Sequence, residues 1–196
     1  VVPPRFTIDY KGTGSVAVAV RDQREDILSG DRKETLIGHQ RSLYGIPYPV
    51  ATASGRPLAE ELADVIVRGL KAKGVAAVQI LASPFKSEDK AIESLVATGS
   101  DRLLLFNVVE WDEDTYARMT LHYDLRLSAL DKSGEILGQT SVAGEDDIKS
   151  SARPERQDIA IATADIISTL MSAKPILAAL RPEAAPTKSC TVDQIL

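Results

Sequence analysis

Seven consecutive residues, Leu103-Leu-Leu-Phe-Asn-Val-Val109, constrain this chain more than any other stretch. Six of the seven are apolar, and in an extended segment successive side chains alternate between the two sides. A strand that is apolar on both sides has no wet face, so it belongs in the middle of a sheet covered on both faces. A buried helical turn is the competing reading, but the run is short and draws on β-branched and aromatic residues. The acidic residues that begin at Glu110 predict a loop directly after it.

Composition narrows the classes around that strand. A length of 196 residues favours one hydrophobic core. The expected division is an extended lead-in over 1–14, one α/β domain over 15–181 and a flexible tail over 182–196. A content of 44% hydrophobic and 26% charged residues argues against wholesale disorder. The net charge of −5 disfavours nucleic acid as the partner. No apolar run has the length of a bilayer span. A single cysteine, Cys190, excludes an internal disulfide framework. The chain opens on Val1 rather than Met, as it would after removal of an export signal or through the choice of cloned segment.

Periodicity then orders the elements. Phe6, Ile8 and Tyr10 alternate with polar residues, as in a short edge strand. Gly12-Thr-Gly14 precedes a strand rather than a helix, so it is no phosphate-binding loop. Val16, Val18 and Val20 alternate with Ala17 and Ala19, predicting a strand that ends at Asp22. The stretch 27–52, with Pro47 and Pro49 two apart, cannot supply a central strand. It is expected to hold one short edge strand near Leu36 or Val50. Pro57 to Lys73 predicts an amphipathic helix with Glu60 and Glu61 in its first turn and Gly74 as its stop. Val75–Leu81 returns as a strand, parallel to the Val16 strand through a crossover. Ser87 caps a second helix running to about Thr98, which delivers the chain into the Leu103 strand. Met119 to Ala129 alternates apolar and polar residues, as an antiparallel strand with one wet face does. Asp131-Lys-Ser-Gly134 turns the chain, Ile136–Val142 returns it, and Pro154 to Ala173 forms a last helix with a break or restart at Pro175. The expected class is therefore α/β with α+β character. It has a single mixed sheet of about five strands in the order β-α-β-α-β-β-β-α.

No reactive constellation stands out. His39 and His122 with one cysteine are too few for a zinc site, and no serine has a nucleophile-elbow context. The expectation is no catalytic residue, no resident metal and no cofactor. Two surfaces remain. Strand polarity places the acidic residues Asp22, Glu110, Asp112, Asp114, Glu145 and Asp146 on one rim of the sheet, where a divalent cation, a small ligand or a basic partner could sit. Tyr44, Ile46, Pro47 and Tyr48 form an apolar loop that is a candidate partner surface. Trp111, placed at a hairpin tip, is a further candidate anchor for a protein partner, against the commoner arrangement in which such a ring folds back on neighbouring strands.

The strand ending Asp22-Gln23-Arg24, the segment Ala51-Thr-Ala-Ser-Gly-Arg-Pro-Leu58 that opens the amphipathic helix, and its close at Lys73-Gly74 resemble the YajG-type family of bacterial lipoproteins. The order of elements is similar to that of the N-terminal domain of TolB and of small periplasmic lipoproteins that activate peptidoglycan synthases. The resemblance spans Ser15 to Leu180. It implies a periplasmic protein tethered to the outer membrane by an acylated N-terminal cysteine, with another envelope protein as partner and no catalytic residue to carry over. The chain departs from that pattern in lacking the lipobox cysteine and in its long segment from Arg24 to Val50.

Overall fold

The computed structural model describes residues 14–116, 118–148 and 156–181. The chain runs β1 (Ser15–Asp22), α1 (Glu25–Leu28), β2 (Leu36–Arg41), β3 (Pro47–Ala51), α2 (Leu58–Ala72), β4 (Ala76–Leu81), α3 (Glu88–Val96), β5 (Arg102–Thr115), β6 (Met119–Asp131), β7 (Ile136–Ile148), α4 (Arg156–Met171) and α5 (Lys174–Ala179). The α/β class and the single mixed sheet hold, with seven strands among the described residues where about five were expected. Phe6–Lys11, Pro154 and Cys190 lie outside the described residues.

β5 is the spine. Its first half pairs with β1 in parallel, Leu104 beside Val18, and its last residues pair in parallel with β2, Glu113 beside Gly38. Along its other edge it pairs antiparallel with β6 over nearly its whole length, and β6 pairs with β7. β4 lies parallel to β1, as the crossover required. The central run is covered on both faces. Leu104, Phe106 and Val108 join Val16, Val18, Val20 and the buried stripe of α2 in the large core, with Ile166, Leu170 and Ile176 from α4 and α5. Leu103 and Leu105 join Ala17 and Ala19 beneath Leu95 of α3. The small alanines of β1 are what let α3 lie close.

Local chemistry explains the helices. Ser87 caps α3 by accepting a hydrogen bond from the Lys90 amide. α2 ends before Gly74, whose φ of +82° suits the left-handed position. Pro175 sits in the first turn of α5, restarting the helix where α4 stops. No helix among the described residues is long and apolar enough to cross a membrane.

Three expectations need correction. First, the stretch with Pro47 and Pro49 forms a two-stranded hairpin rather than one short strand. Both prolines fall in β3, which among the described residues pairs only with β2, so neither donates to a further neighbour there. Second, β5 does not end at Glu110 and β7 does not end before Glu145: both continue, to Thr115 and Ile148. Third, Trp111 is not at a hairpin tip. A register shift between Val108 and Glu110 adds one residue to β5 and reverses which positions face inward, so Trp111 and Glu113 point into the core.

Candidate functional site

Five residues, 42–46, join β2 to β3, and this turn satisfies its own polar groups. The Ser42 amide donates to the Ile46 carbonyl and the Gly45 amide to the Ser42 carbonyl, both at 2.9 Å. The Ser42 hydroxyl accepts from the amides of Tyr44 and Ile46. Gly45 takes a φ of +76°, which favours a residue without Cβ. A bidentate pair from Arg41 to Asp114, at 3.0 and 2.7 Å, fastens the foot of this turn to β5. On this fixed frame Leu43 is 95% and Tyr44 92% exposed, with Ile46 at 53% and Tyr48 at 55%. Pro47 is exposed beside them.

Tyr116 belongs to the same end of the molecule. β2 runs parallel to β5 with Gln40 beside Thr115, so the β5–β6 turn lies next to the hairpin tip, and Tyr116 there is 61% exposed. Sequence reasoning missed it because β5 was expected to stop earlier. The signal was present in Thr115-Tyr116, had the acidic alternation before it been read as strand. Trp111, by contrast, is 2% exposed and cannot serve as a surface anchor.

The acidic rim keeps Glu110, Asp112, Asp114 and Glu145 on the open face of the sheet and loses Asp22 and Asp146. Asp22 is wholly buried and held by Arg24, whose Nη2 lies 2.6 Å and Nε 2.9 Å from its carboxylate oxygens. Asp112 accepts from both Nη atoms of Arg32 at 3.0 Å, and His39 stands 3.8 Å away. The Arg41 hydrogen bonds hold the Asp114 carboxyl below the usual carboxylate range. Glu110 is opposite Asp124, and Glu145 is opposite His122, 3.6 Å from its Nδ1. Asp146 is opposite Leu121, so it projects from the other face of β7. Among the described residues no group of three histidine, cysteine, aspartate or glutamate side chains converges to hold a metal.

One buried acid was not anticipated. Glu113 is 2% exposed, and its Oε2 has no hydrogen-bond partner, nor does the indole Nε1 of Trp111. Burial pushes the Glu113 carboxyl up to about 7, the Trp111 indole alongside pulls it the other way, and Asp112 and Glu61 add like-charge repulsion. Composition gives no sign of this, because Glu110, Asp112, Glu113 and Asp114 look alike until the shift at Val109 aims one of them inward.

A cleft of about 360 Å³ opens beside β4, between the first turns of α2 and α3, with Glu34, Gln79, Lys86 and Lys90 in its wall. Burial, Asp22 and Glu60 raise the Glu34 carboxyl there. The wall brings no histidine, cysteine or serine–base pair together.

Fold and surface together define a mixed-sheet α/β domain that presents an apolar hairpin tip. No family model matches the chain, and no curated protein matches it. Among solved structures it is similar to protein XCC0632 from Xanthomonas campestris, described with the family model DUF330, at 14% identity, over 87% of this chain and 86% of that one, with a TM-score of 0.49. It is similar also to the PelC dodecamer from Paraburkholderia phytofirmans, at 16% identity over 88% and 97% of the chains, TM-score 0.46. Lipoprotein GNA1162 from Neisseria meningitidis follows at 14% identity, 82% and 99% coverage and a TM-score of 0.36.

Proposed function

We propose that the protein is a non-catalytic interaction module of the bacterial envelope, docking onto another envelope protein through the tip of the β2–β3 hairpin. The observation that carries this reading is the nearly complete exposure of Leu43 and Tyr44 on a turn whose backbone is internally hydrogen-bonded. Large apolar side chains held out in water cost free energy that a partner's pocket returns, at ~25 cal/mol per Å² of apolar surface covered. A turn already fixed in shape loses little conformational entropy on binding. Tyr44, Tyr48 and Tyr116 supply the amphipathic rings that interfaces favour. The YajG-type resemblance supports the finer assignment: a periplasmic protein tethered to the outer membrane by an N-terminal lipid, with no cofactor.

A photo-crosslinking residue placed at Tyr44 tests the docking surface in cells that make the protein. Adducts should form from position 44 and not from Ile136, which is exposed at the β6–β7 turn. Identical adducts from both positions, or none from 44, would sink the reading. The upstream reading frame tests the anchor: a signal peptide ending in a lipobox is expected.

A further inference from the structure

The docking hairpin is attached to the sheet through a short seam. β2 meets β5 at three residue pairs, Gly38–Glu113, His39–Asp114 and Gln40–Thr115. Glu113 sits at the inner end of that seam. On the β2 side it faces Gly38, which has no side chain, and a Cβ there would run into the Glu113 backbone. On the β6 side it faces Leu121. From α2 the facing charge is Glu61, which itself accepts from the amide and hydroxyl of Ser54. Within β5 it is Asp112, which is paired with Arg32. His39, 3.8 Å from Asp112, and Asp114, paired with Arg41, are the other titratable groups on the seam. Among the described residues no cation pairs with Glu113, and one of its oxygens is buried without a partner.

We propose that Glu113 is a proton-operated latch for the β2–β3 hairpin, holding the seam closed when neutral and opening it when ionised. The proposal rests on the docking role of the hairpin for its purpose, though not for its chemistry. A buried, ionised carboxylate repelled by Asp112 and Glu61 is relieved only by admitting water. Of the three elements over it, β2 yields first. β6 pairs with β5 along its length, and α2 buries seven side chains, Leu58 through Leu70, in the core. Over 38–41, β2 has three pairs and an exposed Arg41–Asp114 bridge, with the Arg24 hydrogen bond to the Leu36 carbonyl holding only its first residue.

The sign follows from linkage. The carboxyl is raised in the closed state, from 4.5 to about 7, so the closed state binds the extra proton. Its advantage is whole below the ordinary carboxylate range and is lost as pH rises through about 7. Hydrogen exchange on the isolated protein reads this without any partner, so its failure is distinct from failure of the docking role. After correction for intrinsic rates, protection of the 38–40 amides should fall roughly fifty-fold or more between about pH 5 and about pH 8.5. Protection of the β5–β6 amides should hold. Glu113→Gln and, as a second variant, Glu113→Leu should flatten the dependence, while His39→Gln should keep it. A wild-type seam with no pH dependence, a dependence that survives Glu113→Gln and Glu113→Leu, or one abolished by His39→Gln would overturn the latch.

Discussion

Asp22 and Arg24 show how much one residue pair can govern here. The two side chains are buried at the end of β1, and Arg24 reaches past Asp22 to the carbonyls of Leu36 at 2.7 Å and Trp111 at 3.4 Å. One guanidinium thereby ties β1, the start of β2 and the continuation of β5 together. A buried pair of this kind adds little over an apolar replacement, but removing one partner strands a charge. Asp22→Ala should therefore lower the unfolding free energy by ~3–5 kcal/mol in chemical denaturation. Replacing both, Asp22→Ala with Arg24→Met, should cost less than the single change. A double variant as unstable as the sum of the two singles would mean that the residues act independently. In sequence, Asp22-Gln-Arg24 looks like the wet end of a strand, since buried ionised residues are rare. Only the partner across the turn makes burial affordable to the fold, and a partner two residues away leaves no distinctive spacing.

At the scale of elements, the decisive feature is the extra residue in β5. Leu103–Val109 was legible because both its faces are apolar. Glu110–Thr115 was not, because Glu110, Asp112 and Asp114 carry the wet face while the inward positions hold only Trp111 and Glu113. The α2 and α3 boundaries came within about two residues because caps and stops mark them locally. A bulge leaves no local mark in composition; it shows only when the partner strand is known. The lengthened β5 gives β2 something to pair with, and Gly38 is where the backbones come too close for any side chain. Gly38→Ala should unseat the hairpin by forcing β2 off β5, at ~1–3 kcal/mol, the usual cost of overpacking. Exchange protection should fall over 36–51 and persist in α2 and β6. Equal loss of protection in all four elements would show that the hairpin is integral to the global folding unit rather than a separable piece.

Across the whole molecule, the acidic face of the sheet and the apolar hairpin tip are kept apart. The chain carries a net charge of −5, and the open face of the sheet holds Asp112, Asp114, Glu145 and Asp147. At the hairpin end, however, Asp114 is taken up by Arg41 and Asp147 by Arg118 at 3.4 Å. The tip itself, Leu43 to Tyr48, contains no charged residue. A contact made there draws on apolar burial, which salt does not screen, whereas a contact made by the acidic face would weaken steeply once the screening length falls below the spacing of the charges. The surface in use can thus be told from the salt response alone. Crosslinking yield from position 44 should change little between about 50 mM and about 500 mM sodium chloride, although the Debye length falls about three-fold over that range. Leu43→Ser with Tyr44→Ser should abolish the adducts formed from a crosslinker at Tyr48 while leaving the unfolding free energy within ~0.5 kcal/mol, because neither side chain is buried in the free protein. A yield that collapses with salt while surviving the serine pair would move the contact from the tip to the acidic face, and with it the class of partner from an apolar pocket to a basic one.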